Sequence, residues 1–117
     1  RPSYGFGPGP GAWLPQPAGW AALTRDQQAA DADSMLNLYR SALALRRDLP
    51  SLGVGPFAWA EGPPGVITFH RGPGFNCVVN VGDDAVALEA TGRIVLASGP
   101  LGSSGSVPGV TGVWLTS

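Results

Sequence analysis

The run Asp33-Ser-Met-Leu-Asn-Leu-Tyr-Arg-Ser-Ala-Leu-Ala-Leu-Arg-Arg-Asp-Leu-Pro50 constrains the fold more than any other part of this chain. On a helical wheel of about 100° per residue, Met35, Leu36, Leu38, Tyr39, Ala42, Leu43, Leu45 and Leu49 fill an arc of roughly 180°, with Arg46 near its middle. A surface helix needs a narrower stripe, so this one expects neighbours on two sides, leaving Asn37, Arg40, Ser41, Arg47 and Asp48 for water. Asp31, Asp33 and Ser34 are all good N-caps, and Pro50 with Gly53 supplies the stop. An arginine on an apolar helix face is tolerated when its donors meet a carboxylate or backbone carbonyls, so Arg46 reads as a structural clamp rather than a substrate contact.

The chain on either side follows other periods. Prolines at 2, 8, 10, 15 and 17 fix φ and remove donors, so residues 1–32 read as an ordered loop without helix or central strand, pinned by Trp13, Leu14, Trp20 and Leu23. After Gly55 six short apolar runs follow: Phe57–Glu61, Val66–Arg71, Phe75–Val81, Val86–Glu89, Arg93–Ala97 and Gly112–Leu115. Gly-Pro-Pro-Gly, Gly-Pro-Gly, Gly-Asp-Asp and Thr-Gly separate the first five, which predicts antiparallel β structure in a sandwich or open barrel. Residues 99–109, rich in Gly and Ser, read as a mobile loop. Glycine and proline make up about a quarter of the chain, but 44% apolar content argues for a folded one.

Several function classes are disfavoured by composition. Net charge is −1, lysine is absent, and the only basic cluster is Arg46-Arg47, so the footprint of a nucleic-acid binder is missing. No run of 18 apolar residues is present to cross a bilayer. Cys77, the single cysteine, reads as a buried reduced thiol, which fits a reducing, cytoplasmic compartment. The lone His70 reads as a strand-surface residue, so neither a metal site nor a Ser-His-Asp triad is expected, and no cofactor is implied. The Gly5–Gly11 run lacks the preceding strand and following helix of a phosphate loop. Asp31 with Asp33 and Asp83 with Asp84 stand where caps and turns stand, and none of the chain's carboxylates, Glu61 and Glu89 included, is expected to be catalytic. Among the aromatics, Trp59 and Trp114 read as core, whereas Tyr4, Phe6 and Trp13 in a rigid loop are candidate sugar contacts.

Taken in order, Gly5-Phe6, Trp13-Leu-Pro, Asp33-Ser-Met-Leu-Asn-Leu-Tyr-Arg, Leu43-Ala-Leu-Arg-Arg, Val78-Val-Asn80 and Val113-Trp-Leu115 resemble the C-terminal part of an α-glucosidase or oligo-1,6-glucosidase. The family is the α-amylase superfamily, glycoside hydrolase family 13. The resemblance is most specific in the helix, at Asp33, Ser34, Tyr39 and Leu45-Arg46, and weakens after Gly82. It implies an α+β piece of a longer enzyme: residues 1–32 the loop after the last strand of a (β/α)8 barrel, residues 33–50 its final helix, and residues 55–117 a small antiparallel, sandwich-like β domain. Tyr4, Phe6 and Trp13 would then lie near outer substrate subsites, while Ser34, Tyr39, Arg46 and Asn80 would be structural. The family's nucleophilic Asp, acid/base Glu and third Asp have no counterpart here, so the implied reaction, retaining hydrolysis of short α-glucosides such as maltose or isomaltose-type sugars, belongs to the parent chain. The partners implied are the catalytic barrel and, through it, the substrate, with neither nucleic acid nor membrane. Alternatives are a free-standing carbohydrate-binding β module and the tail of a maltose-isomerising trehalose synthase.

Overall fold

The computed structural model describes residues 2–9 and 11–117. Arg1 and Pro10, both in the expected Pro/Gly loop, lie outside the described residues. The chain divides into two compact units whose boundary falls after Ser41, inside the long helix, and each is described by itself.

The first unit carries 3-10 turns at Pro2–Gly5 and Ala18–Leu23, a short helix α1 (Arg25–Ala30), and the start of α2 (Met35–Asp48). The expectation that no helix enters residues 1–32 is thus corrected. Pro17 is the last proline before α1, and Thr24 caps that helix by accepting from the Gln27 amide at 3.4 Å. Ser34 caps α2: its Oγ accepts from Asn37 N at 3.3 Å and donates to Gln28 O at 2.6 Å. Asn37, assigned to water on the wheel, instead donates through Nδ2 to the carbonyls of Gln28, Ala29 and Asp31 at 3.1, 3.4 and 2.8 Å. Gln28 closes the junction, its Oε1 accepting from Leu36 N and its Nε2 donating to Leu23 O. Orphan carbonyls at the end of α1 and orphan amides at the start of α2 are therefore satisfied by three side chains.

The second unit holds the end of α2, a single turn α3 (Ser51–Val54), and five strands: β1 (Phe57–Ala60), β2 (Val66–Arg71), β3 (Phe75–Asn80), β4 (Arg93–Ala97) and β5 (Thr111–Thr116). They form one antiparallel sheet in the order β1-β2-β3-β5-β4. Among the described residues no second, sandwich-like sheet is formed. Val86–Glu89 makes no strand: only Val86 pairs, with Val107, because Val86, Leu88 and Ala90 turn inward against Val78, Val113 and Leu115 instead of joining a ladder. The same core takes in Leu101 and the fully buried Val107, so the 99–109 segment is anchored rather than loose.

Register sorts the strand residues onto two faces. One face is this aliphatic core. The other carries Phe57, Trp59, Phe69, Phe75, Cys77 and Trp114, with Phe57 4.9 Å from Trp59, 5.2 Å from Phe69, and Phe75 5.5 Å from Trp114 between ring centroids. Phe75 and Cys77 are buried, but Trp59 is 70% exposed, against its expected core position. It stands on the edge strand β1, meeting only the edges of Phe57 and Phe69 among the described aromatic rings.

Val110 has φ +54°, a left-handed conformation costly for a β-branched residue. Its side chain is exposed and its amide donates to Gly82 O at 3.1 Å. Val110→Asn keeps that bond and relieves the steric conflict, so it is expected to stabilise the fold by about 1 kcal/mol, read as a raised thermal midpoint.

Candidate functional site

The sequence candidates Tyr4, Phe6 and Trp13 come together with a residue that periodicity did not single out, Trp20. Ser3 and Tyr4 both adopt positive φ, 48° and 50°, an uncommon pair for non-glycine residues. The turn is held by Phe6 N donating to Ser3 O at 2.9 Å and by Ser3 Oγ donating to Gly7 O and Gly9 O at 3.3 Å each. This leaves Phe6 79% and Trp13 98% exposed.

Two open clefts lie against these rings. One, of about 480 Å3, is lined by Phe6, Trp13, Leu14, Gln16 and Trp20 among others. The other, of about 460 Å3, is lined by Tyr4, Phe6, Trp20, Leu23, Thr24 and Arg25. Phe6 and Trp20 belong to both. Trp20 is carried by the 3-10 turn Ala18–Leu23, which packs against α1. Aromatic walls with a few polar groups suit a ligand with both an apolar face and hydrogen-bonding edges.

The other sequence candidates lie elsewhere. Ser34 is the buried cap described above. Tyr39 and Arg46 are exposed on α2, no residue of which is buried, and Arg46 has no hydrogen bond or ion pair among the described residues. Among the described residues, neither the enclosure expected of this helix nor a partner for the clamp expected of Arg46 is present. Met35, Tyr39 and Leu43, one turn apart in succession, make an exposed apolar stripe.

Asn80 is 1% exposed. Its Nδ2 lies 2.8, 3.1 and 3.1 Å from the carbonyls of Asp84, Val107 and Pro108, and its Oδ1 accepts from Gly82 N at 3.0 Å.

Asp31, Asp33, Glu61, Asp83, Asp84 and Glu89 all stand exposed, and Asp31 Oδ1 accepts from Asp33 N at 3.0 Å, a local turn contact. His70 is exposed on β2 with its Nδ1 against Asn76 Oδ1. Cys77 is buried and free. Burial pushes its thiol from the ordinary 9.0 to about 11, the Trp114 side chain acting in the opposite direction. The thiol is thus neutral and poorly nucleophilic at neutral pH. With the folded-state value raised, stability is unaffected well below pH 9 and falls between about pH 9 and 11, as the unfolded chain ionises first. Comparison of wild type with Cys77→Ala across that window should show a loss on the order of 2 kcal/mol in the wild type alone.

Scanned against family models the sequence matches none, and a search of curated proteins gives no match either. Solved structures do match in fold. A mutant of the trehalulose synthase MutB aligns with a TM-score of 0.69 at 16% identity over 90% of this chain and 22% of that one. An inactive double mutant of MutB in complex with isomaltulose gives the same TM-score at 15% identity, over 89% and 21%. An alpha-amylase from H. orenii aligns at 0.60 and 20% identity over 89% and 24%. The alpha-glucosyl transfer enzyme XgtA aligns at 0.65 and 25% identity over 88% and 21%. These neighbours are enzymes of the α-amylase superfamily, so the resemblance carried by the sequence has its counterpart in the fold. The chain spans about a fifth of the length of the solved structures it resembles.

Proposed function

We propose that this chain is a non-catalytic, structural part of a retaining α-glucosidase that hydrolyses short α-glucosides such as maltose or isomaltose-type oligosaccharides. Helix α2 is the last helix of the catalytic barrel, residues 1–32 are the loop before it, and residues 55–117 form the β domain. The observation that carries this reading is coverage: nine-tenths of the chain aligns with about a fifth of much longer enzymes of one superfamily.

Two surfaces are consistent with it. The stripe of Met35, Tyr39 and Leu43 and the rings of Phe57 and Trp59 are exposed here, and both are apolar areas of the kind a larger polypeptide covers. Arg46 finds its carboxylate or carbonyl partners on the barrel side of α2. The chemistry takes place in the parent: one carboxylate attacks the anomeric carbon, a protonated carboxylic acid releases the leaving sugar, and water cleaves the glycosyl enzyme. Tyr4, Phe6 and Trp13 contact substrate outside the reacting centre. The lone buried thiol agrees with a cytoplasmic setting.

Transfer in place of hydrolysis is the second reading, favoured by the likeness to a trehalulose synthase and an alpha-glucosyl transfer enzyme. A sugar hydroxyl then replaces water in the last step, as in the maltose-isomerising alternative. Product analysis of the full-length protein on maltose and isomaltose separates them: free glucose as sole product supports hydrolysis, and a rearranged or lengthened glucoside supports transfer. Absence of any turnover on α-glucosides opposes both. Exposed Trp59 also suits a sugar-binding β module, which requires affinity for maltose at residues 55–117 without any catalytic partner.

A further inference from the structure

The sheet ends in two unlike edges. Strand β4 closes one side. It opens with Arg93 and carries a register shift between Ile94 and Leu96, a charge and an irregularity of the kind that keep an edge from pairing further. Strand β1 closes the other side with Phe57-Ala-Trp-Ala60, uncharged, free of proline and in unbroken register with β2. Gly72 N donates to Pro56 O at 2.7 Å. In an antiparallel ladder bonded and non-bonded pairs alternate, so Ala58 and Ala60 spend their backbone groups on His70 and Thr68. Phe57 and Trp59 therefore turn their N–H and C=O groups outward, and no partner for these groups is present among the described residues.

We propose that a second copy of this chain pairs with this edge, β1 against β1 about a two-fold axis at Ala58, to make one continuous antiparallel sheet across both copies. In that register the N–H and C=O of Phe57 meet those of Trp59 of the second copy, and the reverse, so every outward group is used once. Opposed side chains share a face, so each Phe57 ring comes beside a Trp59 ring and extends the aromatic group already formed with Phe69. The two Ala58 residues face each other as a non-hydrogen-bonded pair, the closer kind, where small side chains fit. A segment without charge meets itself without repulsion, whereas an acidic or basic strand would find nothing here to neutralise it. The contact uses the edge of the sheet and not its faces, so it does not depend on the α-glucosidase reading. Four residues a side make a small interface, and association is accordingly weak and concentration-dependent.

Sedimentation equilibrium of the full-length protein tests this, with Ala58→Glu and Ala58→Lys as variants. Ala58 is exposed, so both changes should leave the fold intact, which the thermal midpoint checks. Wild type should pass from one copy to two as concentration rises. Either variant alone sets like charges opposite each other on the axis, and its self-association should weaken by about tenfold or more. An equimolar mixture of the two should recover the dimer, because glutamate then faces lysine. Ala58→Cys should form an interchain disulfide on mild oxidation, since the opposed Cα atoms lie about 4.5 Å apart, within the span of a disulfide. This smaller substitution decides the matter if a charged side chain lowers the midpoint, and absence of the cross-link then overturns the proposal. A wild type that stays single at every concentration overturns it as well. So does a dimer that both charged variants form as readily as wild type, or one that the mixture fails to restore, since either places the interface elsewhere.

Discussion

Asn80→Ala is expected to cost about 3 kcal/mol or more, a large part of the stability of a domain this size. The side chain is buried and ties the 80–84 turn to the 107–108 segment, through the carbonyls of Asp84, Val107 and Pro108 and the amide of Gly82. Alanine leaves the carbonyls of Asp84 and Pro108 and the amide of Gly82 without this partner, while Val107 O keeps its bond from Val86 N at 2.9 Å, and each buried orphan costs roughly 1–3 kcal/mol. Asn80→Asp sharpens the test. A carboxylate still accepts from Gly82 N but faces three carbonyls with no proton to donate. Its folded-state pKa is therefore raised, and the variant should be less stable than alanine at neutral pH and recover as pH falls and the carboxyl protonates. A thermal midpoint within 2 °C of wild type for both variants would show that the turn is held by something else.

Gly109→Ala is expected to cost a similar amount by a different route. A Cβ there would lie 2.4 Å from Asp83 O, 2.6 Å from Gly82 O and 2.7 Å from Asp83 C. All three are backbone atoms, so the clash cannot be relieved by a rotamer change. The backbone has to part, and parting it pulls Pro108 away from Asn80 and Val110 N away from Gly82 O. Overpacking of this kind costs about 1–3 kcal/mol before the lost hydrogen bonds are added. Because both substitutions break one junction, the double variant should be distinctly less destabilised than the sum of the two single changes. Strict additivity in equilibrium unfolding would mean that the two sites do not share a junction.

The contrast between these residues and the rest of the chain shows what a single sequence makes legible. Strands Val66–Arg71 and Arg93–Ala97 stand where alternation and Gly/Pro punctuation put them, because those signals are local. Val86–Glu89 has the same alternation but uses it to face inward beneath the sheet, and no local signal separates an inward-facing loop from a strand. Trp59 misled for a related reason: a strand pattern says which residues share a face, not which face something else covers. The cap by Ser34 was legible, whereas the bonds from Asn37 to carbonyls six to nine residues earlier follow no helical period.

The site divides in the same way. Tyr4, Phe6 and Trp13 stood out as aromatics in a proline-fixed loop. Trp20 reads in the sequence only as an aromatic pinning that loop, and Gln16 and Arg25 carry no signal, since their grouping depends on where the turn Ala18–Leu23 places them. Asn80 carried no chemical signal of its own and entered through the family resemblance. Arg46 was conspicuous on the wheel, yet in this chain it meets nothing among the described residues, and its role as a clamp depends on the barrel proposed to lie against α2.

The claim at the centre of this account is that the chain supports a retaining glycosidase without supplying its chemistry. Trapping of the covalent glycosyl enzyme tests it most directly: the full-length protein is treated with a fluorinated α-glucoside that forms the intermediate quickly and releases it slowly, and the labelled peptide is identified. The account predicts one sugar per protein, attached to a carboxylate outside residues 1–117. A label on any of the eight Asp and Glu residues of this chain would contradict it.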